Sequence, residues 1–399
     1  MLERIAVIGL GYVGLPLAIN ASENGYEVLG IDKNLAIVDS INSGISTTED
    51  IENSRVNAQV KSLKLFATSS YEVIENCSIV IICVPTPLQS DTSPDLSILA
   101  SAAKSLSPYI KPGTLVILES TVSTGTTRDF LLPIIQKNSS VKANEFDLAF
   151  SPERIDPSNS TWNIGNTPKI VAGLNDKSKT RAIEFYSKFI STIVSCESLE
   201  VAETAKLLEN SFRLVNISFI NELAIFCRAV GLDINQVIAA ASTKPYGFMP
   251  FYPSLGAGGH CIPVDPMYLV SKANEVNAPL SIIELAAKIN RDNPIHFVNE
   301  AKKVLGTLSR KRILVIGIAY KPNVADTRES PAEILIEQLR IHGAYVEWHD
   351  EIVGSWRGEL SKEITTDYDL TILATAHDYL DLNKVKDLKV LDTSGKSFE

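Results

Sequence analysis

Residues 5–14 constrain the fold more than any other stretch. Ile5-Ala6-Val7-Ile8 is an apolar run suited to a strand buried on both faces, and Gly9-Leu10-Gly11-Tyr12-Val13-Gly14 follows it, ahead of a helix-like segment reaching Glu23. In such a strand–turn–helix the first glycine makes the tight turn and the second lets a pyrophosphate approach the backbone. The third lets the helix lie against the strand, and the helix N-terminus meets the phosphate charge. A second run, Glu27-Val28-Leu29-Gly30-Ile31, ends at Asp32. A carboxylate there accepts hydrogen bonds from the adenosine ribose hydroxyls and repels a 2′-phosphate, so the pattern predicts a site for NAD rather than NADP. Lys33 is expected to face solvent, because neighbours at a strand end point opposite ways. Pro16 falls in the first helical turns, where its missing N–H costs little. An apolar start can mimic a secretory leader, but the glycine spacing and Asp32 account for this one better.

A weak internal repeat organises the rest. Arg4-Ile5-Ala6-Val7-Ile8-Gly9 recurs as Arg312-Ile313-Leu314-Val315-Ile316-Gly317, but the second copy has Ala319 in place of the second glycine and is not expected to hold another dinucleotide. Strand-like runs at 79–84, 115–118, 146–150, 170–172 and 192–194 alternate with helical segments, which predicts a mostly parallel sheet to about residue 195. The last third repeats the alternation at 345–349 and 370–374. Between them, 197–229 is nearly devoid of Gly and Pro and reads as one long amphipathic helix stopped by Gly231. The expected fold class is therefore α/β, with two Rossmann-like, doubly wound parallel-sheet domains joined by a long helical connector. The expected divisions are 1–195, 196–300 and 301–399. A chain of 399 residues is too long for a single core. The apolar face of the connector fits a homodimer interface, or packing between the domains of one chain.

Charge and cysteine content narrow the functional class. With 37 basic and 47 acidic side chains the net charge is −10, which argues against a nucleic-acid or anionic-membrane partner while leaving room for local phosphate sites. No apolar run is long enough to span a bilayer. Cys77, Cys83, Cys196, Cys227 and Cys261 lack CxxC spacing, so neither a disulfide framework nor a zinc ribbon is expected and no metal is assigned. A reducing, cytoplasmic setting fits.

The candidate reaction centre is Gly258-Gly259-His260-Cys261-Ile262-Pro263-Val264-Asp265. Paired glycines permit close backbone approach or positive φ, and a thiol with a lowered pKa is a nucleophile. A buried structural cysteine in an ordinary turn is the competing explanation. Lys206 and Asn210 lie one turn apart on the connector, with Arg213 near the same side, and together suit the stabilisation of an alkoxide or oxyanion. A solvated helix face, with Glu203 and Glu209 as ion-pair partners, would carry the same residue types. Polar residues also gather at the expected strand ends: Pro85-Thr86-Pro87, Glu119-Ser120-Thr121 and Ser151-Pro152-Glu153-Arg154. In an open α/β sheet the ligand crevice lies beyond the carboxyl ends of the strands.

These segments together resemble the UDP-glucose/GDP-mannose dehydrogenase family. The resemblance covers essentially the whole chain, through 9–14, 84–87, 119–121, 151–154, 206–213, 258–265 and Asp326-Thr327-Arg328-Glu329-Ser330-Pro331. His260, with Thr243-Lys244-Pro245-Tyr246-Gly247-Phe248 and Pro250-Phe251-Tyr252-Pro253, is similar to the branch acting on UDP-N-acetylhexosamines. The resemblance implies a four-electron oxidation at C6 of the sugar by two equivalents of NAD, through a thiohemiacetal and then a thioester on Cys261. It assigns Lys206 and Asn210 to oxygen charge at C6, Asp265 to a water or proton-transfer role, and Glu153 with Thr121 to positioning catalytic water. Tyr12, Val13, Asp32, Pro85, Thr86, Thr121 and Arg328 match NAD contacts, beside Gly9, Gly11 and Gly14. Arg154, Ile155, Lys206, Asn210, Arg213, Gly258 and Lys321 match positions that hold the UDP-sugar.

Two departures stand out. The loop Pro253-Ser254-Leu255-Gly256-Ala257 lacks a proline and a glycine usual in that branch, which puts its rigidity in question. Ser394 stands where relatives generally carry a basic residue, which implies either an altered affinity for the UDP-sugar or substitution by Lys396. Two other functional classes share parts of the pattern. A two-electron hydroxyacid dehydrogenase has the same N-terminal fold but no use for Cys261, and a non-catalytic NAD- or metal-binding module would need ligands that the adjacent His260 and Cys261 are poorly placed to supply.

Overall fold

The computed structural model describes residues 2–48, 50–142, 144–155, 161–386 and 388–395. The chain divides into two compact units, 1–208 and 209–399. The helix Leu199–Ala229 runs across that division.

The first unit is built on eight strands: β1 (Glu3–Ile8), β2 (Tyr26–Ile31), β3 (Leu65–Thr68), β4 (Ile79–Ile82), β5 (Leu115–Leu118), β6 (Asp147–Phe150), β7 (Lys169–Gly173) and β8 (Ile193–Ser195). Their order is β3-β2-β1-β4-β5-β6-β7-β8. Strands β1 to β6 are parallel, as the alternating pattern predicts, and the direction reverses only between β6 and β7. Sequence order reverses at β1/β4, the switch point where a doubly wound sheet opens a crevice. The strands read as continuous apolar runs because both faces are covered. Ile5, Val7, Ile79, Ile81, Leu115 and Ile117 enter the core on one face. Ala6, Ile8, Val80, Ile82, Val116 and Leu118 enter the core on the other.

In the second unit β9 (Arg312–Ile316), β10 (Tyr345–His349), β13 (Leu370–Leu373) and β14 (Val390–Asp392) form a parallel sheet ordered β10-β9-β13-β14; β11 (Ser355–Trp356) and β12 (Glu359–Leu360) make a separate antiparallel pair. The internal repeat is structural. Strands β1 and β9 are both interior, and the glycine after each has positive φ, +90° at Gly9 and +83° at Gly317. Asp350 repeats Asp32: it follows β10 as Asp32 follows β2, and each carboxylate accepts from the amide one past the glycine, Leu10 N or Ile318 N, at 2.9 Å. Asp350 is buried and also accepts from Ala319, Ile352 and Val353 amides and from His377. The lone pairs that a ribose would need are thus taken up within the protein.

Element bounds differ from expectation in small ways. The long helix starts at Leu199 rather than 197, because the Ser198 hydroxyl accepts from Val201 N and caps it. It ends at Ala229 as predicted, stopped by Gly231, with φ +74° and Leu232 N donating to Cys227 O at 2.8 Å. Strand β4 stops at Ile82 rather than 84. Among the described residues, no helix is long and apolar enough to cross a membrane.

Candidate active site

In the first unit the candidate residues collect where β1, β4, β5 and β6 end. A Cβ on Gly9 would lie 2.7 Å from Cys83 O, and one on Gly14 1.8 Å from Gly9 O, so both glycines are fixed by backbone packing. A Cβ on Gly11 would meet nothing within 4 Å. Open space at the second glycine is what close approach of a pyrophosphate requires, and the cradle fits a dinucleotide. Tyr12 is exposed, whereas Val13 packs against the core. Asp32 is half-buried and aimed by two amides, Leu10 N on Oδ2 and Asn34 N on Oδ1, both at 2.9 Å. Lys33 is exposed as expected, but its ammonium donates to Ser101 Oγ at 2.8 Å rather than reaching only into water. Pro85 is exposed, and Thr86 Oγ1 donates to Thr121 O at 2.8 Å, joining the loops after β4 and β5.

Glu153 follows β6 and turns back on its own loop. Its Oε1 accepts from Arg154 N and Ile155 N, both at 2.7 Å, and its Oε2 lies 3.7 Å from Lys169 Nζ. The Arg154 guanidinium donates to Pro168 O at 2.7 Å. Glu119 is fully buried and is not a crevice residue. Its carboxylate faces Lys169 at 3.3 Å and accepts from the Tyr186 hydroxyl. Burial pushes Glu119 up, although Lys169 opposes the shift.

The reading of Glu203 as a surface ion-pair partner is corrected by the structure. Glu203 is fully buried and accepts from Gly125 N at 2.6 Å, Thr127 N at 2.8 Å and Thr127 Oγ1 at 2.6 Å. Burial pushes its pKa up to about 7, against the pull of those three donors. Lys206, three residues on, is 8% exposed, and its ammonium has no hydrogen-bond or ion-pair partner among the described residues. A buried cation without an internal anion suits a ligand oxygen.

In the second unit the candidate turn is closely packed at its glycines and Cys261 is exposed. A Cβ on Gly258 would sit 2.6 Å from Glu329 O, and Gly259, at φ +78°, donates its amide to Arg328 O at 3.1 Å. Asp265 opens the helix Asp265–Glu275, and its amide closes onto Cys261 O at 2.9 Å. The Asp265 carboxylate is buried and accepts from the Asn210 side-chain amide at 2.6 Å. Arg213 is exposed on the same helix as Asn210. Lys321 is half-buried, its ammonium 5.9 Å from the centre of the Tyr320 ring. The Arg328 guanidinium makes a forked ion pair with Asp326.

The loop 253–257 is held firmly despite the missing proline and glycine. Asn221 Oδ1 accepts from Ser254 N at 2.9 Å, Asn290 exchanges two hydrogen bonds with the Ala257 backbone at 2.7 and 2.9 Å, and Asn293 donates to Ser254 O and Leu255 O. Ser394 folds inward onto Asp392, and Lys396 lies outside the described residues. The residues that sequence reasoning missed are Lys169, Asn221, Asn290 and Asn293.

Comparison with known proteins finds the description "UDP-glucose/GDP-mannose dehydrogenase family, NAD binding domain" matching residues 3–190. The same family's central domain matches residues 200–292 and its UDP binding domain residues 314–395. The chain is similar to a UDP-N-acetyl-D-glucosamine 6-dehydrogenase of Pseudomonas aeruginosa, 33% identical over 389 residues that cover 94% of this chain and 90% of that one. It is similar to a UDP-N-acetyl-D-mannosamine dehydrogenase of Pyrococcus horikoshii, 34% identical over 379 residues, 94% of this chain and 89% of that one. A solved structure of the UDP-D-ManNAc dehydrogenase from Pyrococcus horikoshii superposes with a TM-score of 0.90 at 31% identity, covering 98% of this chain and 95% of that one.

Proposed function

The chain belongs to the UDP-glucose/GDP-mannose dehydrogenase family, an NAD-dependent nucleotide-sugar dehydrogenase, and we propose that it oxidises the C6 alcohol of a UDP-N-acetylhexosamine, UDP-N-acetylglucosamine foremost, to the uronic acid. We assign the product to surface polysaccharide synthesis in the cytoplasm. NAD, when bound, accepts hydride, and a four-electron oxidation calls on it twice. Residues 1–195 hold the NAD, with Gly9, Gly11, Gly14, Tyr12, Val13, Pro85, Thr86, Thr121 and Asp32 lining its site, and the family resemblance adds Arg328 to the NAD contacts. Residues 196–300 carry the thiol, and residues 301–399 hold the UDP.

Lys206 and Asn210 stabilise the oxygen charge that develops at C6. The Cys261 thiolate adds to the aldehyde carbon, and oxidation of that thiohemiacetal leaves a thioester. Glu153 and Thr121 place the water that releases the acid, and Asp265 exchanges protons at the thiol turn. Arg154, Arg213 and Lys321 meet diphosphate oxygens, with Ile155 and Gly258 shaping the sugar site. The observation that carries this reading is the turn itself: an exposed thiol, one helical turn from a buried carboxylate that a buried amide holds at 2.6 Å.

A homodimer through the long helix accompanies the proposal. Val201, Leu208, Phe212, Phe219 and Phe226 are exposed at helical spacing along one side of it, more apolar surface than a lone solvated helix carries. The test is a screen of UDP-N-acetylglucosamine, its manno and galacto epimers and UDP-glucose with NAD, following NADH. The highest kcat/KM is expected with UDP-N-acetylglucosamine. A higher value for the manno epimer supports the alternative branch, and no NADH from any of the four rejects the proposal.

A further inference from the structure

Strand β7 runs against β6, pairing Phe150 with Ala172. That reversal brings the first residue of β7, Lys169, to the end of the sheet where β6 finishes, and its side chain is only 5% exposed there. Burying an ammonium is costly, and acceptors around it offset that cost. Lys169 Nζ has three: Glu119 at 3.3 Å, Glu153 at 3.7 Å and Pro152 O at 3.4 Å. Behind it the Tyr186 hydroxyl donates to Glu119, and the ammonium stands 4.9 Å from the centre of the Tyr186 ring. Burial alone would lower the Lys169 pKa, but the two carboxylates outweigh it and raise it. Glu153 is therefore held at both oxygens, one by the amides of Arg154 and Ile155 and the other by a buried cation.

We propose that Lys169 is the positioning residue of the hydrolytic step, fixing the Glu153 carboxylate and balancing the negative charge of Glu119 beside it. The inference rests on the reading in which Glu153 acts on water. In that step the water oxygen forms a bond to the thioester carbon while one water proton passes to Glu153. The C–S bond then breaks, with the electron pair leaving on the Cys261 thiolate, and the new carboxyl group releases the second proton. Lys169 itself exchanges no proton and touches no substrate; it acts through Glu153.

The test quenches full-length enzyme in acid during turnover of UDP-N-acetylglucosamine with NAD, and weighs the intact protein. Lys169→Met is expected to accumulate the sugar adduct on Cys261, with the NADH burst retained and uronate release slowed at least about tenfold, since the water-activating base is misplaced. Lys169→Arg, which keeps a cation of similar reach, is expected to restore most of the rate. Because Lys169→Met alone leaves Glu119 facing no cation, the double variant Lys169→Met/Glu119→Gln is measured beside it, with the same expected adduct. Uronate release at the unmodified rate from either folded variant, or equal slowing of burst and release without adduct, overturns the role of Lys169. No adduct in any variant, together with one NADH per product from the unmodified enzyme, overturns the covalent reading instead.

Discussion

Asn210 donates its side-chain amide to the Asp265 carboxylate at 2.6 Å, and both side chains are buried. The contact ties the long helix to the turn that presents Cys261, because the Asp265 amide is itself bonded to Cys261 O. Replacing Asn210 by Ala removes a donor from the buried Asp265 carboxylate and, in the proposed mechanism, from the oxygen charge at C6. We expect kcat to fall by about 10²-fold or more, the scale for losing one such donor. Steady-state kinetics and a thermal melt check this. A kcat within twofold of the unmodified value would remove Asn210 from the reaction.

In the proposed reading, cofactor choice rests on Asp32. Its two oxygens are aimed by Leu10 N and Asn34 N, so a 2′-phosphate would arrive against a fixed negative charge. Lys33 is engaged with Ser101. Asp32→Ser is expected to narrow the ratio of kcat/KM for NAD over NADP by about tenfold, which corresponds to roughly 1.4 kcal/mol. Equal use of both cofactors by the unmodified enzyme would contradict this assignment.

Asp350 predicts an acid limit to stability. Burial would raise its pKa, but the hydrogen bond from His377 and the backbone amides holds it down at about 2, against an ordinary value of 3.8. Asn323 N donates to His377 Nδ1 at 2.8 Å, so the ring proton is on Nε2 and is donated to Asp350. A carboxylate with a depressed folded pKa stabilises the fold above its unfolded pKa, and that contribution is lost as pH falls through the folded one. Asp350→Asn should therefore cost about 2 kcal/mol or more at pH 7, because an amide NH₂ would face backbone N–H groups. In urea unfolding, the gap to the unmodified protein should begin to close below pH 3.8 and vanish near pH 2. A gap independent of pH would show that Asp350 contributes by packing alone.

What the sequence made legible was local. The strand before Gly9, the glycine roles, Asp32 and the stop at Gly231 each follow from a few adjacent residues and the backbone they require. The Arg312–Gly317 repeat also pointed correctly to a second sheet of the same kind. Lys169 was illegible because its surroundings are produced by the reversal between β6 and β7, a pairing that no local pattern encodes. Glu203 read as a surface residue because its partners, Gly125 and Thr127, lie far back in the chain. The loop 253–257 looked loose for the same reason: its rigidity comes from Asn221, Asn290 and Asn293 on other helices, not from its own composition.

The central claim is that one thiol carries the sugar through two successive oxidations. The direct measurement is the ratio of NADH formed to uronic acid formed from UDP-N-acetylglucosamine, for the unmodified enzyme and for Cys261→Ser. The account predicts a ratio of two for the unmodified enzyme and near-complete loss of uronic acid for Cys261→Ser, since serine is a much weaker nucleophile without an adjacent activating base. A ratio of one with free aldehyde accumulating, or substantial steady-state uronic acid from Cys261→Ser, would contradict it.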